Sequence, residues 1–213
     1  MTAVAAKICG VNTRAALDAA VAGGARWVGF VFFPRSPRHV SFAQAAELSA
    51  LLPPAVTAVG LVVDPDDAML RELIAAVPLG LLQLHGGETP DRIAAIRALA
   101  GLPVMKAIKV ATAADLAPVP AYAAVADRIL FDAKAPPGLL PGGNALSFDW
   151  TILAGRTWPG PWMLSGGLTP ENVAEAVRIT GAHAVDVSSG VEAAPGTKDP
   201  ARIAAFLRAV AAL

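Results

Sequence analysis

Short apolar runs alternate with capped amphipathic stretches from one end of the chain to the other. Val4 to Cys9, Trp27 to Phe33, Thr57 to Val63, Leu79 to Leu84, Val104 to Lys109, Arg128 to Asp132 and Trp162 to Leu164 read as seven strands. An eighth opens the stretch Ala184 to Glu192, where Val185 and Val187 alternate with Asp186 before Ser188, Ser189 and Gly190 break the run. Trp27 to Phe33 is apolar throughout, as a parallel strand covered on both faces must be. Helix signals fill the gaps. Asn12 and Thr13 cap a helix running to about Ala22, which Gly23-Gly24 stop. Ser41 with Gln44 predicts a capping box, and Pro53-Pro54 end that helix. A third helix begins near Pro65. Thr89-Pro90 opens the fourth, with proline at the first helical position. Thr112 to Leu116 starts a short fifth and Asp149-Trp150 a short sixth. Thr169-Pro170 opens the seventh in the manner of Thr89-Pro90, and Asp199-Pro200 begins the last.

Eight βα units without a linker or a charge block predict an α/β fold. The expected architecture is a single (β/α)8 TIM barrel over residues 1–213, its parallel eight-stranded sheet closed on itself. An open doubly wound sheet is the alternative. It favours fewer strands and a GxGxxG fingerprint after the first strand, which is absent. Lys134 to Ser147, rich in Pro and Gly, is the longest irregular segment, and a loop of that length in a compact domain is functional or mobile.

Composition narrows the function classes. The chain has 213 residues, near the short end for a barrel fold that typically runs to about 250. Seventeen basic and seventeen acidic residues cancel, which removes any electrostatic bias towards nucleic acid or an anionic membrane. No apolar run approaches the roughly 18 residues of a spanning helix, and the start, MTAVAAKICG, lacks the pattern of a secretory signal. Cys9 is the only cysteine; it permits no internal disulfide, and a reducing cytoplasm is its natural setting. The expected partner is a small-molecule substrate, with the chain a monomer or homodimer.

Barrel active sites lie at the C-terminal strand ends. Cys9 ends the first strand, Arg35 and Arg38 follow the second, Asp64 ends the third, His85 the fourth and Asp132 the sixth. The turns Ser165-Gly166-Gly167 and Ser188-Ser189-Gly190 follow strands seven and eight, where this fold keeps a phosphate. Either turn alone is an ordinary strand-to-helix connection. Cys9 is either a small buried hydrophobe or a thiolate that needs a nearby positive charge. Lys7 shares its face of the strand; if that face is buried, the ammonium needs a partner, and Asp186 on the closing strand is the obvious one. That pair could be purely structural. Asp132 either caps a loop or, facing a partly dry barrel mouth, suits a general acid. Arg38 could take a carboxylate in a two-pronged grip, as loop arginines at a site do, whereas Arg35 is expected to be exposed. His85 is a loop hydrogen-bonder or a substrate contact. Three histidines without ligand-like clustering make no case for zinc. An acid, a base, a cationic clamp and a phosphate seat together suggest a sugar phosphate and proton transfers.

The motifs KICG (Lys7 to Gly10), VGFVF (Val28 to Phe32), SPRHV (Ser36 to Val40), QLHG (Gln83 to Gly86), FDAK (Phe131 to Lys134), LSGGL (Leu164 to Leu168) and AVDVSSGVE with its following PGTKD resemble phosphoribosylanthranilate isomerase. The resemblance runs in order along nearly the whole chain. It implies an aldose–ketose isomerase that turns N-(5-phosphoribosyl)anthranilate into the aminoketose by an Amadori rearrangement in tryptophan synthesis, with no cofactor or metal. By motif, it implies Cys9 as general base at ribose C2 and Asp132 as general acid on the ring oxygen. Arg38 would hold the anthranilate carboxylate. Gly166, Gly167, Ser188, Ser189 and Gly190 would seat the phosphate, and His85 and Asp186 would position groups. A base for this step needs a pKa near working pH, so a thiol tuned down by about one to two units is expected. Two departures stand out. Val11 precedes Asn12-Thr13, a swap expected to keep the helix cap. Ala145 ends the run Gly142-Gly143-Asn144, where it would be strained if the position needs a positive φ. Competing readings are a histidine-pathway isomerase, which would use two aspartates, and a non-catalytic sugar-phosphate-binding barrel, which would need neither Cys9 nor Asp132.

Overall fold

A computed structural model describes residues 3–136, 142 and 146–213. Eight parallel strands close into a barrel in chain order: β1 (Ala5–Cys9), β2 (Trp27–Phe32), β3 (Thr57–Val62), β4 (Leu81–Leu84), β5 (Val104–Val110), β6 (Arg128–Ala133), β7 (Trp162–Leu164) and β8 (Ala184–Val187). The closing seam pairs Lys7 with Asp186 and Ile8 with Val187. Helices α1 (Arg14–Ala22), α2 (Phe42–Ser49), α3 (Asp67–Ala76), α4 (Pro90–Ala100), α5 (Val119–Ala123), α6 (Val173–Thr180) and α7 (Pro200–Ala211) lie outside.

The two-residue period of the strands feeds two cores. Ile8, Val28, Phe30, Phe32, Val62, Leu84, Phe131 and Val185 belong to the core under the helices. Their neighbours Val59, Leu81, Met105, Leu130, Met163 and Ala184 form a second cluster that fills the barrel's lower interior, as packed side chains do in this fold. Above that plug the inward positions turn polar: Lys7, Gln83, Asp132, Ser165 and Asp186 are all buried. Cys9, Val31 and Leu61, with Phe33 and Val63, make an apolar wall at the mouth.

The caps expected at Thr13, Ser41, Thr89 and Asp199 form, each accepting from a backbone N–H of the first turn. The capping box at Ser41 is only half made: the Gln44 side chain donates to the Asn12 carbonyl at 2.8 Å, tying α2 to the turn after β1. Thr169-Pro170 does not open a helix directly; α6 starts at Val173, because Asn172 folds back to accept from Thr169 N and donate to Gly167 O. Between β6 and β7 the outer layer has only a 3₁₀ turn, Trp150–Leu153, among the described residues. Aromatic bulk covers that side instead, with Phe131 and Trp158 rings 4.5 Å apart and Trp162 against both. The sequence pattern also misses a small antiparallel ribbon, β9 (Glu192–Ala194) with β10 (Thr197–Lys198), between β8 and α7. Of the segment Lys134 to Ser147, residues 137–141 and 143–145 lie outside the described residues, and with them the expectation about Ala145.

Candidate active site

One cavity of about 780 Å³, counting its open mouth, occupies the C-terminal end of the barrel. Cys9, Arg38, His85, Asp132, Gly166, Gly167, Asp186, Ser188 and Ser189 all line it. Gly190 lies just beyond, and Asp64 and Arg35 are elsewhere. Arg35 is exposed, as expected. Asp64, at φ +46°, accepts from Gly87 N at 2.6 Å and so ties the turns after β3 and β4 together rather than facing the cavity.

Cys9 ends β1 beside the Lys7–Asp186 pair. Lys7 Nζ donates to Asp186 Oδ1 at 2.9 Å, both side chains buried, and Ser165 Oγ donates to Asp186 Oδ2 at 3.2 Å. Gly29 on β2 is the neighbour of Cys9 in register; a Cβ there would stand 3.1 Å from Lys7 Nζ and 3.3 Å from Cys9 Sγ, so a bare Cα makes room for ammonium and thiol together. Burial would strip the Lys7 proton, but the Asp186 carboxylate and the nearby thiol outweigh it and hold the ammonium above its ordinary range. The Cys9 thiol moves opposite to the expectation from sequence. Burial pushes it up, the Lys7 charge pulls it down, Asp186 pushes it up again and Lys198 pulls it down, and the net is upward. Burial is the largest influence, and the Lys7 charge does not offset it together with the push from Asp186, so proximity alone does not make a thiolate here.

Asp132, at the end of β6, accepts from Ala133 N at 2.9 Å through Oδ1 and lies 3.1 Å from His85 Nε2 through Oδ2. His85 Nδ1 is 2.9 Å from Gln83 Nε2. His85 therefore touches the candidate acid and lines the cavity.

Arg38 reaches the cavity from the loop after β2. It passes over Gly10, where a Cβ would sit 2.7 Å from Arg38 Cδ. Its two-pronged grip is on a carboxylate of its own chain: Nε and Nη2 donate to Glu192 Oε1 and Oε2, each at 2.7 Å. Lys198 Nζ donates to Glu192 Oε1 at 2.7 Å and to Ser188 O at 2.9 Å. Burial raises the Glu192 carboxyl, but Arg38 and Lys198 bonds overcome this and hold it below the ordinary range. Burial lowers Lys198 in spite of Glu192. Two cations against one carboxylate leave a net positive charge on this side of the cavity, which suits an anionic ligand.

The two glycine-bearing turns meet backbone to backbone. Gly166 and Gly167 have φ +90° and +66°, and a Cβ on Gly190 would fall 1.9 Å from the Leu168 carbonyl oxygen. Ser188 Oγ is committed inward: it donates to Cys9 O at 3.2 Å and accepts from Lys198 Nζ at 3.2 Å.

A family model described as N-(5'phosphoribosyl)anthranilate (PRA) isomerase matches residues 6–209. The chain belongs to that family. The N-(5'-phosphoribosyl)anthranilate isomerase of Rhodospirillum centenum is 64% identical over 212 residues, 99% of each chain. Among solved structures, the phosphoribosyl anthranilate isomerase of Thermotoga maritima superposes with a TM-score of 0.85 at 36% identity, over 99% of this chain and 100% of that one. A phosphoribosyl anthranilate isomerase in complex with reduced 1-(o-carboxyphenylamino)-1-deoxyribulose 5-phosphate gives 0.84 at 34%, with the same coverage. Membership of this isomerase family accords with the barrel and with a site at its C-terminal end. Among the described residues no helix is long and apolar enough to cross a membrane, and no three His, Cys, Asp or Glu side chains are grouped to hold a metal ion.

Sequence reasoning missed Gln83, Glu192, Lys198 and a second buried pair, Lys106–Glu88, at 2.6 Å. Lys106 Nζ also donates to Gly86 O at 2.8 Å, so this pair holds the turn that follows His85. Charged residues inside or beside otherwise apolar strands were the available signal, because burial forces such residues into pairs.

Proposed function

We propose that this cavity carries out the Amadori rearrangement of N-(5-phosphoribosyl)anthranilate to 1-(2-carboxyphenylamino)-1-deoxy-D-ribulose 5-phosphate, with Asp132 as general acid and Cys9 as general base. The observation that carries the assignment is that both residues line one cavity at the same end of the barrel, beside two glycine-bearing turns. The complex of a solved relative with a reduced form of that aminoketose phosphate supports the same ligand here.

Asp132 gives its proton to the furanose ring oxygen as the C1–O bond breaks. The nitrogen lone pair forms the C1=N bond, leaving a cation at the imine. The Cys9 thiolate then takes the proton from C2, and those electrons flow into the imine to give an enol-amine. A proton reaches C1, the C2 hydroxyl loses its own, and the ketone results. No external oxidant is needed, because the imine is the electron sink.

A buried thiol with a raised pKa suits this order of events. Ring opening places a positive charge one bond from C2, and that charge favours a thiolate beside it. Lys7 and Lys198, whose charges pull Cys9 downward, act in the same direction. Deprotonation therefore follows ring opening. Arg38, its guanidinium plane fixed by Glu192, lends its charge to the anthranilate carboxylate. The backbone of Gly166, Gly167, Ser189 and Gly190 closes on the phosphate, with Ser188 contributing its backbone while its hydroxyl holds β1 to β8. Asp186 holds Lys7, and His85 holds Asp132. Fixing the phosphate and the carboxylate at two ends of the ligand leaves C1 and C2 between acid and base.

The test is the fluorescence of the anthranilate conjugate, which is quenched as product forms. Cys9→Ser and Asp132→Asn should each lower kcat by several orders of magnitude while inhibition by inorganic phosphate survives. Turnover near wild type in either variant removes that residue from its role, and a flat trace with the unaltered protein favours a non-catalytic binder.

A further inference from the structure

Lys198 is buried on β10, and the reaction asks no more of it than a charge. Its ammonium nevertheless donates to three acceptors: Glu192 Oε1 at 2.7 Å, Ser188 O at 2.9 Å and Ser188 Oγ at 3.2 Å. Glu192 in turn accepts Arg38 through both oxygens, at 2.7 Å each, and Gly196 N at 3.3 Å. Ser188 Oγ donates to Cys9 O at 3.2 Å. Bonds thus run without a break from Arg38 through Glu192 and Lys198 to Ser188 and the end of β1. Arg38 and Ser188 line the cavity, whereas Glu192 and Lys198 stand outside its lining. Neutralising Glu192 does not explain the lysine, because Arg38 already matches that carboxylate in charge and by two bonds. A second cation leaves surplus charge out of water, and burial lowers Lys198 accordingly. What an ammonium adds is three donors at one point, which reach a carboxylate, a backbone carbonyl and a hydroxyl together.

We propose that Lys198 is a positioning residue that fixes the separation between Arg38 and the turn opened by Ser188, so that one ligand carrying a carboxylate and a phosphate meets both ends of the site at once. The inference rests on the reading that Arg38 takes the carboxylate and this turn the phosphate. Each end binds its own anion whether or not the spacing is held. Only a ligand that fills both ends feels the spacing, because a loosened site must be ordered before the second contact forms. Lys198 therefore acts on the join between two half-sites rather than on either of them.

The test uses the full chain and three inhibitors of the fluorescence assay: anthranilate, inorganic phosphate, and the reduced 1-(o-carboxyphenylamino)-1-deoxyribulose 5-phosphate bound by the solved relative. Lys198→Met removes all three bonds. Its lost charge weakens the fragments and the intact ligand alike, so that effect cancels when the change for the intact ligand is divided by the product of the two fragment changes. The ratio should reach about tenfold or more, as expected for bonds made by a charged donor. Ser188→Ala keeps the backbone of the turn and removes only the hydroxyl that Lys198 and Cys9 share; its ratio should be about threefold. A ratio near one in both variants overturns the proposal and leaves Lys198 a prop for the fold or a plain charge. If Lys198→Met does not fold, Ser188→Ala decides alone. Failure of anthranilate or phosphate to compete with substrate in the unaltered protein overturns the two-ended reading and this inference with it, whereas competition by both beside a ratio near one overturns this inference alone.

Discussion

Lys7 and Asp186 are register partners across the seam where β1 closes on β8, and their side chains meet at 2.9 Å inside the barrel. Removing one member of such a pair strands the other charge out of water, at a cost of about 3–5 kcal/mol. Lys7→Met and Asp186→Asn should each lose stability on that scale in urea denaturation. The double variant Lys7→Met/Asp186→Leu should regain most of it, because apolar groups of similar volume often replace a buried pair without loss. Its turnover should stay low, since a cation beside Cys9 is gone. A double variant no more stable than the singles would show that the loss comes from packing rather than from a stranded charge.

Alkaline stability follows from the same cluster. The Cys9 thiol and the Lys7 ammonium are both raised, from ordinary values of 9.0 and 10.5. Each holds its proton more tightly folded than unfolded, so above the ordinary value the folded state carries more protons. Stability then falls as pH rises. The decline should begin near pH 9, where the unfolded thiol ionises, and steepen past 10.5. Cys9→Ala should remove the first part of the slope and leave the second. By the same reasoning, iodoacetamide should label Cys9 slowly in the free protein, with a rate still rising above about pH 9. A labelling midpoint below that would mean the thiol is activated before substrate arrives.

The barrel was legible because strand and helix periods differ and several helices carry their own start signal, as those at Thr13, Thr89 and Asp199 do. The strand ends then named the cavity, since topology alone brings Cys9, His85 and Asp132 to one rim. Even the Lys7–Asp186 pair was readable from alternation along β1 and closure onto β8. What pattern could not supply is the partner of a charge across long separation. Arg38 and Glu192 lie 154 positions apart, and nothing local in SPRHV distinguishes a guanidinium awaiting substrate from one already held. The sign of the Cys9 shift was hidden for a related reason: it is set first by burial of the thiol, against which the Lys7 charge pulls, and the depth of burial is not written in the local sequence. The ribbon β9–β10 is too short for a periodic signal.

Glu192 governs acid stability on the other side of the cavity. Its carboxyl is held below the ordinary 4.5 by Arg38 and Lys198 against the effect of burial. A depressed carboxyl contributes stability that is present above its unfolded pKa and lost as pH falls through the folded one. Unfolding followed from pH 7 downward should therefore steepen below about 4.5, and Glu192→Gln should flatten part of that slope. Glu88, lowered in the same way by Lys106 against burial, should account for another part, tested by Glu88→Gln. At neutral pH Glu192→Gln should cost about 3–5 kcal/mol, because Arg38 and Lys198 are left facing each other without their shared anion. KM should rise as the Arg38 plane loosens. An unchanged KM would detach Arg38 from carboxylate recognition.

Two glycine-to-alanine changes should fail in opposite ways. At Gly190 the added methyl would fall 1.9 Å from the Leu168 carbonyl oxygen. Backbone cannot retreat without opening the contact between the turns after β7 and β8, so Gly190→Ala should raise KM and lower the melting temperature together. At Gly29 the methyl would stand 3.1 Å from Lys7 Nζ and 3.3 Å from Cys9 Sγ. The ammonium and the sulfur are side-chain atoms that can give by tenths of an ångström, while Cys9 Cα, also at 3.3 Å, must shift with its strand; Gly29 is not among the positive-φ glycines, so its own backbone conformation suits alanine. Overpacking of this kind costs about 1–3 kcal/mol, a few degrees of melting temperature for each kcal/mol in a chain of this size. The atoms that move are the thiol and its adjacent cation, while the glycine-bearing turns proposed for the phosphate follow other strands. Gly29→Ala should therefore lose kcat by at least about tenfold while KM stays near wild type. A Gly29→Ala enzyme with normal kcat and a lowered melting temperature would mean that the placement of Cys9 tolerates displacement, and that the base acts with less geometric demand than this cavity implies.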